Sequence, residues 1–189
     1  MHPLIHRLML LTQWRIIGWL FALLLLFNLA IFPALVHHMQ QVNPEVLPPL
    51  DIRLSWTANE GRAWAAHLGA ARSWALFTSW VVDMVYPVVY GLLLVFLLLR
   101  YLPWAISQKA HTHYYYLAFV PILAVWVDWL ENLCIGTMAW CYPDYPEWVG
   151  HAAAIFTTLK WWSVALSLLL LMAVVAIALW RQMRSKASA

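Results

Sequence analysis

The sequence predicts an all-α integral membrane protein, a four-transmembrane-helix bundle with an amphipathic helix in the first outer loop. Of its 189 residues, 65% are hydrophobic and only 10% are charged. The mean hydropathy of +0.72 is far above that of soluble domains. Four apolar segments reach the roughly 20 residues that a helix needs to cross a bilayer. Because little chain remains outside them, we expect a single membrane domain over residues 1–189.

The four predicted spans cover about residues 16–36, 80–99, 114–140 and 152–180. The first span could instead be a cleaved signal peptide. Its apolar run is too long for one, however, and no small-x-small cleavage site follows it.

Lysine and arginine occur without any acidic residue in three of the five segments outside the spans, namely the two ends of the chain and the loop between the second and third spans. These residues are Arg7, Arg15, Arg100, Lys109, Arg181, Arg184 and Lys186. The other two loops carry Arg53, Arg62 and Arg72 against all the acidic residues outside the spans, so the positive-inside rule predicts that both termini are cytoplasmic. The net charge of +3 is thinly spread, which argues against nucleic acid as a partner.

The first outer loop, residues 37–79, is the largest segment outside the predicted spans. Thr57 and Glu60 form a T-x-x-E pattern, which is typical of a capping box at the start of a helix. After it, apolar residues recur at helical spacing at Trp64, Leu68, Ala71 and Ala75. The pattern predicts a short amphipathic helix on the outer surface or over the mouth of the bundle.

The third span contains polar residues within the apolar run VWVDWLENLCIG, residues 125–136. Asp128, Glu131 and Asn132 are spaced i, i+3 and i+4, so they share one helix face. A charged side chain near the middle of a bilayer costs about 2.5–3.5 kcal/mol on insertion scales. Such residues therefore need partners, and we expect at least one of the carboxyl groups to be protonated at neutral pH.

The second span places Asp83, Tyr86 and Tyr90 on one face. Pro87 has no N–H group, so the carbonyl of Asp83 loses its helical partner and becomes an additional acceptor. The fourth span adds Lys160 with Trp161 beside it.

All of these polar positions, together with Asn28 of the first span, fall in or near the outer half of a core of roughly 30 Å. The inner halves of the spans contain no aspartate, glutamate, lysine, arginine or histidine in residues 92–99, 114–127 or 163–180. This one-sided distribution predicts a pocket that opens to the outside or the outer leaflet. A channel through the membrane would need polar residues in both halves.

The candidate catalytic residues are Asp83, Asp128, Glu131 and Lys160. Among them, Asp128 or Glu131 is the expected general acid or base, and Lys160 or Arg72 would stabilise negative charge. The candidate substrate-binding residues are Asn28, Arg72, Tyr86, Tyr90, Asn132 and Trp161.

Other kinds of site have weaker support in the sequence. His37, His38 and His151 lie at the outer ends of spans, but no helical HxxxH or HxxE pair is present, so we predict no metal site. Cys134 and Cys141 lie too far apart on one helix to form a disulfide with each other. No motif identifies a cofactor, and the cofactor is left unassigned.

Two motifs, DMVYPVVYG at residues 83–91 and DWLEN at residues 128–132, resemble a set of small bacterial four-span membrane proteins. That set shares D-x-x-(F/Y)-P-x-x-Y and D-x-x-E-N, and LDIRLSWT at residues 50–57 and Arg72 fit the same pattern. The resemblance covers about residues 50–135 and implies a multi-pass protein of the bacterial inner membrane. It implies no activity.

Two functional hypotheses follow. In the first, the pocket binds a lipid-like hydrophobic molecule and could act on it by acid–base chemistry. In the second, the protein is a non-catalytic subunit or assembly factor, and its polar face pairs with a helix of a membrane-protein partner or of a second copy. The sequence does not decide whether the protein is an enzyme.

Overall fold

The structure, a computed structural model, describes residues 9–106 and 112–187. Its helices are α1 (Trp14–Val42), α2 (Ala58–His67), α3 (Gly69–Ala105), α4 (Tyr114–Cys141) and α5 (Glu147–Ala187). Helices α1, α3, α4 and α5 are long and apolar enough to cross a membrane. The predicted all-α, four-span fold is therefore confirmed.

The spanning helices extend beyond the predicted spans at most of their ends. Helix α3 begins at Gly69 instead of near residue 80, and α1 continues to Val42. The prediction counted only the apolar residues, whereas a helix can continue past the hydrocarbon layer as long as its backbone bonds are satisfied. Arg7 and Lys109 lie outside the described residues, as does the side chain of Lys186, so the orientation of the termini stays a prediction.

The start of α2 has the predicted capping box. The Thr57 N–H donates to Glu60 Oε2 at 2.7 Å, and the Glu60 N–H donates to Thr57 Oγ1 at 3.3 Å. The bonds from Thr57 hold the pKa of the Glu60 carboxyl below its ordinary value, because they stabilise the ionised form.

The apolar stripe of the outer loop is divided between two helices. Helix α2 ends at His67, and α3 begins at Gly69, which has a positive φ of 47°. Trp64 and Leu68 are buried on one side of this break, and Ala71 and Ala75 are buried on the other. They belong to one core cluster with residues of α4 and α5, including Met138 and Val149. Helix α2 therefore covers one end of the bundle, and its position relative to a membrane surface stays a prediction.

Helices α3, α4 and α5 pack against one another, whereas α1 packs mainly on α3. Near one end, Ile17 of α1 joins a cluster with Leu99 of α3 and Val174 of α5. Towards the other end, α1 and α5 face each other across a cavity. Much of α1 is exposed, with Trp19 at 73% and Leu29 at 74%, as expected for a helix that contacts lipid on most of its surface.

Helices α3 and α4 approach closely at Gly136, where an added Cβ would overlap the indole ring of Trp80. We expect Gly136→Ala to lower the free energy of unfolding by about 1–3 kcal/mol, because the ring must move. The measurement is denaturation in mixed micelles. Gly18→Ala is the matched control, since nothing lies within 4 Å of its added Cβ. Equal stability of the two variants would contradict the close packing at Gly136.

Candidate functional site

A cavity of about 760 Å³ lies between α1, α3 and α5, under the loop of residues 48–52. Most of its wall is apolar, with Leu35 on α1 and Val164 and Leu168 on α5. Seven of the ten predicted site residues line it: Asn28, Asp83, Tyr86, Tyr90, Asp128, Lys160 and Trp161. Its size is within the range of pockets that bind small organic molecules.

Asp128 is held by two hydrogen bonds. Tyr90 donates its hydroxyl to Oδ2 at 3.0 Å, and Asn132 donates Nδ2–H to Oδ1 at 2.8 Å. The carboxyl group is buried, with 5% of the residue exposed. Because both oxygens accept from neutral donors on α3 and α4, its orientation towards the cavity is fixed.

Asn132 also joins α4 to α3. Its Nδ2 donates a second hydrogen bond to the backbone carbonyl of Asp83, at 3.1 Å. This is the carbonyl that Pro87 deprives of its helical partner, so the sequence-based expectation of an additional acceptor at this position is confirmed. Asn132 does not line the cavity; it lies behind Asp83 and Asp128 and fixes both of them.

Lys160 forms an ion pair with Glu131, with 2.5 Å between Nζ and Oε2. Nζ also donates to the backbone carbonyl of Asp51 at 3.1 Å. The other oxygen of Glu131 accepts from the Thr157 hydroxyl at 2.5 Å, and Thr157 accepts from Trp56 Nε1 at 2.8 Å. A buried ion pair of this kind requires such additional hydrogen bonds to offset the loss of water.

Glu131 is fully buried and does not line the cavity. It lies behind Lys160 and contacts the cavity only through that side chain. The structure therefore gives Glu131 the geometry of a residue that positions Lys160, while Asp128 and Asp83 face the open space.

Asp83 differs from Asp128 in having no partner for its carboxyl group among the described residues. It is 6% exposed and lines the cavity. Carboxylates buried this deeply are normally hydrogen-bonded. The Asp83 carboxyl is therefore the group in the cavity wall that most needs a hydrogen-bond donor.

Asn28 and Tyr86 connect α1 to α3 beside these carboxylates. Asn28 Nδ2 donates to the Tyr86 hydroxyl at 3.2 Å and to the Leu24 carbonyl at 2.8 Å. Short π-helical turns occur at Phe27–Ile31, around Asn28, and at Thr78–Val82, just before Asp83. Such turns are frequent at functional sites, and no sequence pattern had indicated them.

Arg72 lies away from the cavity. Its guanidinium donates to the carbonyls of Ala139 at 2.9 Å and Ala65 at 3.2 Å, and it stacks over the ring of Tyr142. These carbonyls lie in the last turns of α4 and α2. The structure thus gives Arg72 the contacts of a residue that joins two helix ends.

Asp51 is a cavity residue that was not among the site residues predicted from the sequence. It lines the cavity, and its carbonyl accepts from Lys160. Trp161 Nε1 donates to the carbonyl of Arg53 at 2.8 Å, which also fastens this loop to α5. The one available signal was the position of Asp51 within LDIRLSWT, the stretch included in the bacterial resemblance.

No group of three or more histidine, cysteine, aspartate or glutamate residues that could hold a metal occurs in the described part of the chain. His37 lines the cavity and lies 3.0 Å from the Gln41 amide, whereas His151 pairs with Glu147. Cys134 and Cys141 are both free thiols.

No family model, curated protein or solved structure matches this chain.

Proposed function

We propose that this protein binds a lipid-like hydrophobic molecule in the cavity between α1, α3 and α5. The observation that carries the proposal is the division of the wall into a long apolar part and one polar end. An amphiphile has the same division, and burying its chain against apolar side chains is favourable at about 25 cal/mol per Å². A solute without an apolar part would leave most of this apolar wall without an apolar contact.

The route of entry in this proposal is lateral, between α1 and α5. Pro33, near the outer end of α1, is exposed and also lines the cavity, so the apolar wall continues onto the outer surface of that helix. With both termini cytoplasmic, this opening faces the outer leaflet of a bacterial inner membrane. The ligand would then move from lipid to cavity without crossing water.

If the protein is an enzyme, Asp128 is the proposed general acid or base. Its carboxyl faces the cavity and is oriented by Tyr90 and Asn132. Lys160 supplies positive charge beside it, held by Glu131. In this arrangement Glu131 contributes through Lys160 and does not touch the ligand.

The test is native mass spectrometry of the protein extracted gently from its own membranes. We expect a discrete bound small molecule on the wild type and less of it, or none, on Asp128→Asn. Asp144→Asn is the matched control, because Asp144 is an exposed carboxylate outside the cavity. The absence of a bound small molecule, or a co-purifying protein in its place, would favour the subunit or assembly hypothesis.

A further inference from the structure

The polar end of the cavity has a strong excess of carboxyl groups. Asp51, Asp83 and Asp128 line it, and the basic residues among its lining are Lys160 and His37. The charge of Lys160 is already matched by Glu131 at 2.5 Å. Among the described residues, the carboxyl groups of Asp51, Asp83 and Asp128 thus face the cavity without an ion-pair partner of their own.

The polar end of the cavity also has more hydrogen-bond acceptors than donors. Lys160 already uses two of its three N–H donors, one on Glu131 and one on the Asp51 carbonyl. The Asp83 carboxyl receives no hydrogen bond from any described residue, although only 6% of the residue is exposed. The unmet requirement at this end is therefore for donors and positive charge.

Three aromatic rings line the cavity together with these carboxyl groups. The Tyr86 and Tyr90 rings lie 5.5 Å apart, and Phe32 packs edge-on against Tyr86 at 5.0 Å. All three residues line the cavity. The face of an aromatic ring attracts an ammonium group, whereas it does not attract a phosphate or a carboxylate.

We propose that the cavity selects an amphiphile with a protonated amine as its head group, with the ammonium seated between Asp83 and Asp128. This inference rests on the proposed function and specifies its ligand class. The ammonium donates to the free Asp83 carboxyl and supplies charge that Lys160 does not provide. An anionic head would instead be placed beside three carboxyl groups in a medium of low dielectric, where repulsion is strong.

The experiment uses three photoreactive probes with the same dodecyl chain, which carries a diazirine, and with an ammonium, a hydroxyl or a phosphate head. The protein is reconstituted in lipid nanodiscs, and labelled peptides are mapped by mass spectrometry. We expect the ammonium probe to label α1 and α5 at cavity-lining positions such as Leu35, Val164 and Leu168. Its labelling there should exceed that of the other probes on the order of tenfold, as one additional charge contact predicts.

Asp83→Asn should remove most of the preference for ammonium while leaving labelling by the hydroxyl probe intact. Asp144→Asn, an exposed carboxylate outside the cavity, should change neither. Should Asp83→Asn fail to fold, Asp128→Asn provides the same comparison. A second arm places the ammonium on a two-chain lipid within the bilayer, and labelling by this lipid or by the single-chain amine distinguishes a membrane source from an aqueous one.

The outcomes separate this inference from the proposed function. Cavity labelling that is equal for the three heads, or strongest for phosphate, would overturn the ammonium preference and leave the lipid pocket standing. Labelling confined to outward-facing residues such as Leu169, for every probe, would overturn both. Preferential ammonium labelling that is unchanged in Asp83→Asn and Asp128→Asn would also overturn the assignment.

Discussion

Replacing Glu131 with glutamine is expected to lower the free energy of unfolding by about 3–5 kcal/mol, the usual cost of removing one member of a buried ion pair. Glu131 is fully buried and lies 2.5 Å from Lys160, which is 7% exposed. Without the carboxylate, the ammonium stays in a medium of low dielectric with its closest counter-charge gone. The measurement is unfolding in mixed micelles at fixed lipid composition.

Two further variants test that reason. Glu147→Gln removes the same group from an exposed pair with His151, and we expect almost no effect, because exposed ion pairs contribute little. Glu131→Gln combined with Lys160→Met should recover most of the loss, since the double variant removes both members of the ion pair. A double variant that is less stable than Glu131→Gln alone would refute this account.

Filling the cavity with a tryptophan at Val164 is expected to remove most of the bound small molecule detected by native mass spectrometry. Val164 is half-buried on α5 and lines the cavity between its polar end and Leu168. The larger ring occupies volume that the apolar chain of a ligand requires, and it leaves the carboxyl groups and Lys160 unchanged. Because the ring extends into the cavity and not into packed side chains, the stability of the protein should change little.

The matched control is Leu169→Trp. Leu169 lies on the same helix, is 59% exposed and is not part of the cavity wall. Its variant should retain the full amount of bound molecule. Equal retention by Val164→Trp and Leu169→Trp would show that the bound molecule sits on the outer surface of the bundle, and the pocket proposal would fail.

The sequence predicted the fold well, because helices in lipid must satisfy their own backbone bonds and therefore appear as long apolar segments. It also predicted the capping box of α2 and the free carbonyl of Asp83, since both depend on local chemistry at Thr57 and Pro87. These features need no information about which helices are neighbours.

The sequence could not separate residues that face the cavity from residues behind it. Asp128 and Glu131 are three positions apart and share a helix face, yet one lines the cavity and the other pairs with Lys160. Which of them faces the space depends on how α5 packs against α4. The same limit applies to Asp51, whose position follows from the loop bonds to α5.

The division of charge between α4 and α5 has a consequence for how the protein is made. Helix α4 has the lowest mean hydropathy of the four spanning helices, 1.6, and carries Asp128, Glu131 and Asn132. Its nearest matching cation, Lys160, lies in the next helix to be synthesised. During biosynthesis α4 is therefore poorly suited to enter lipid alone, and the two helices are best released from the insertion machinery as a hairpin, with the ion pair already formed.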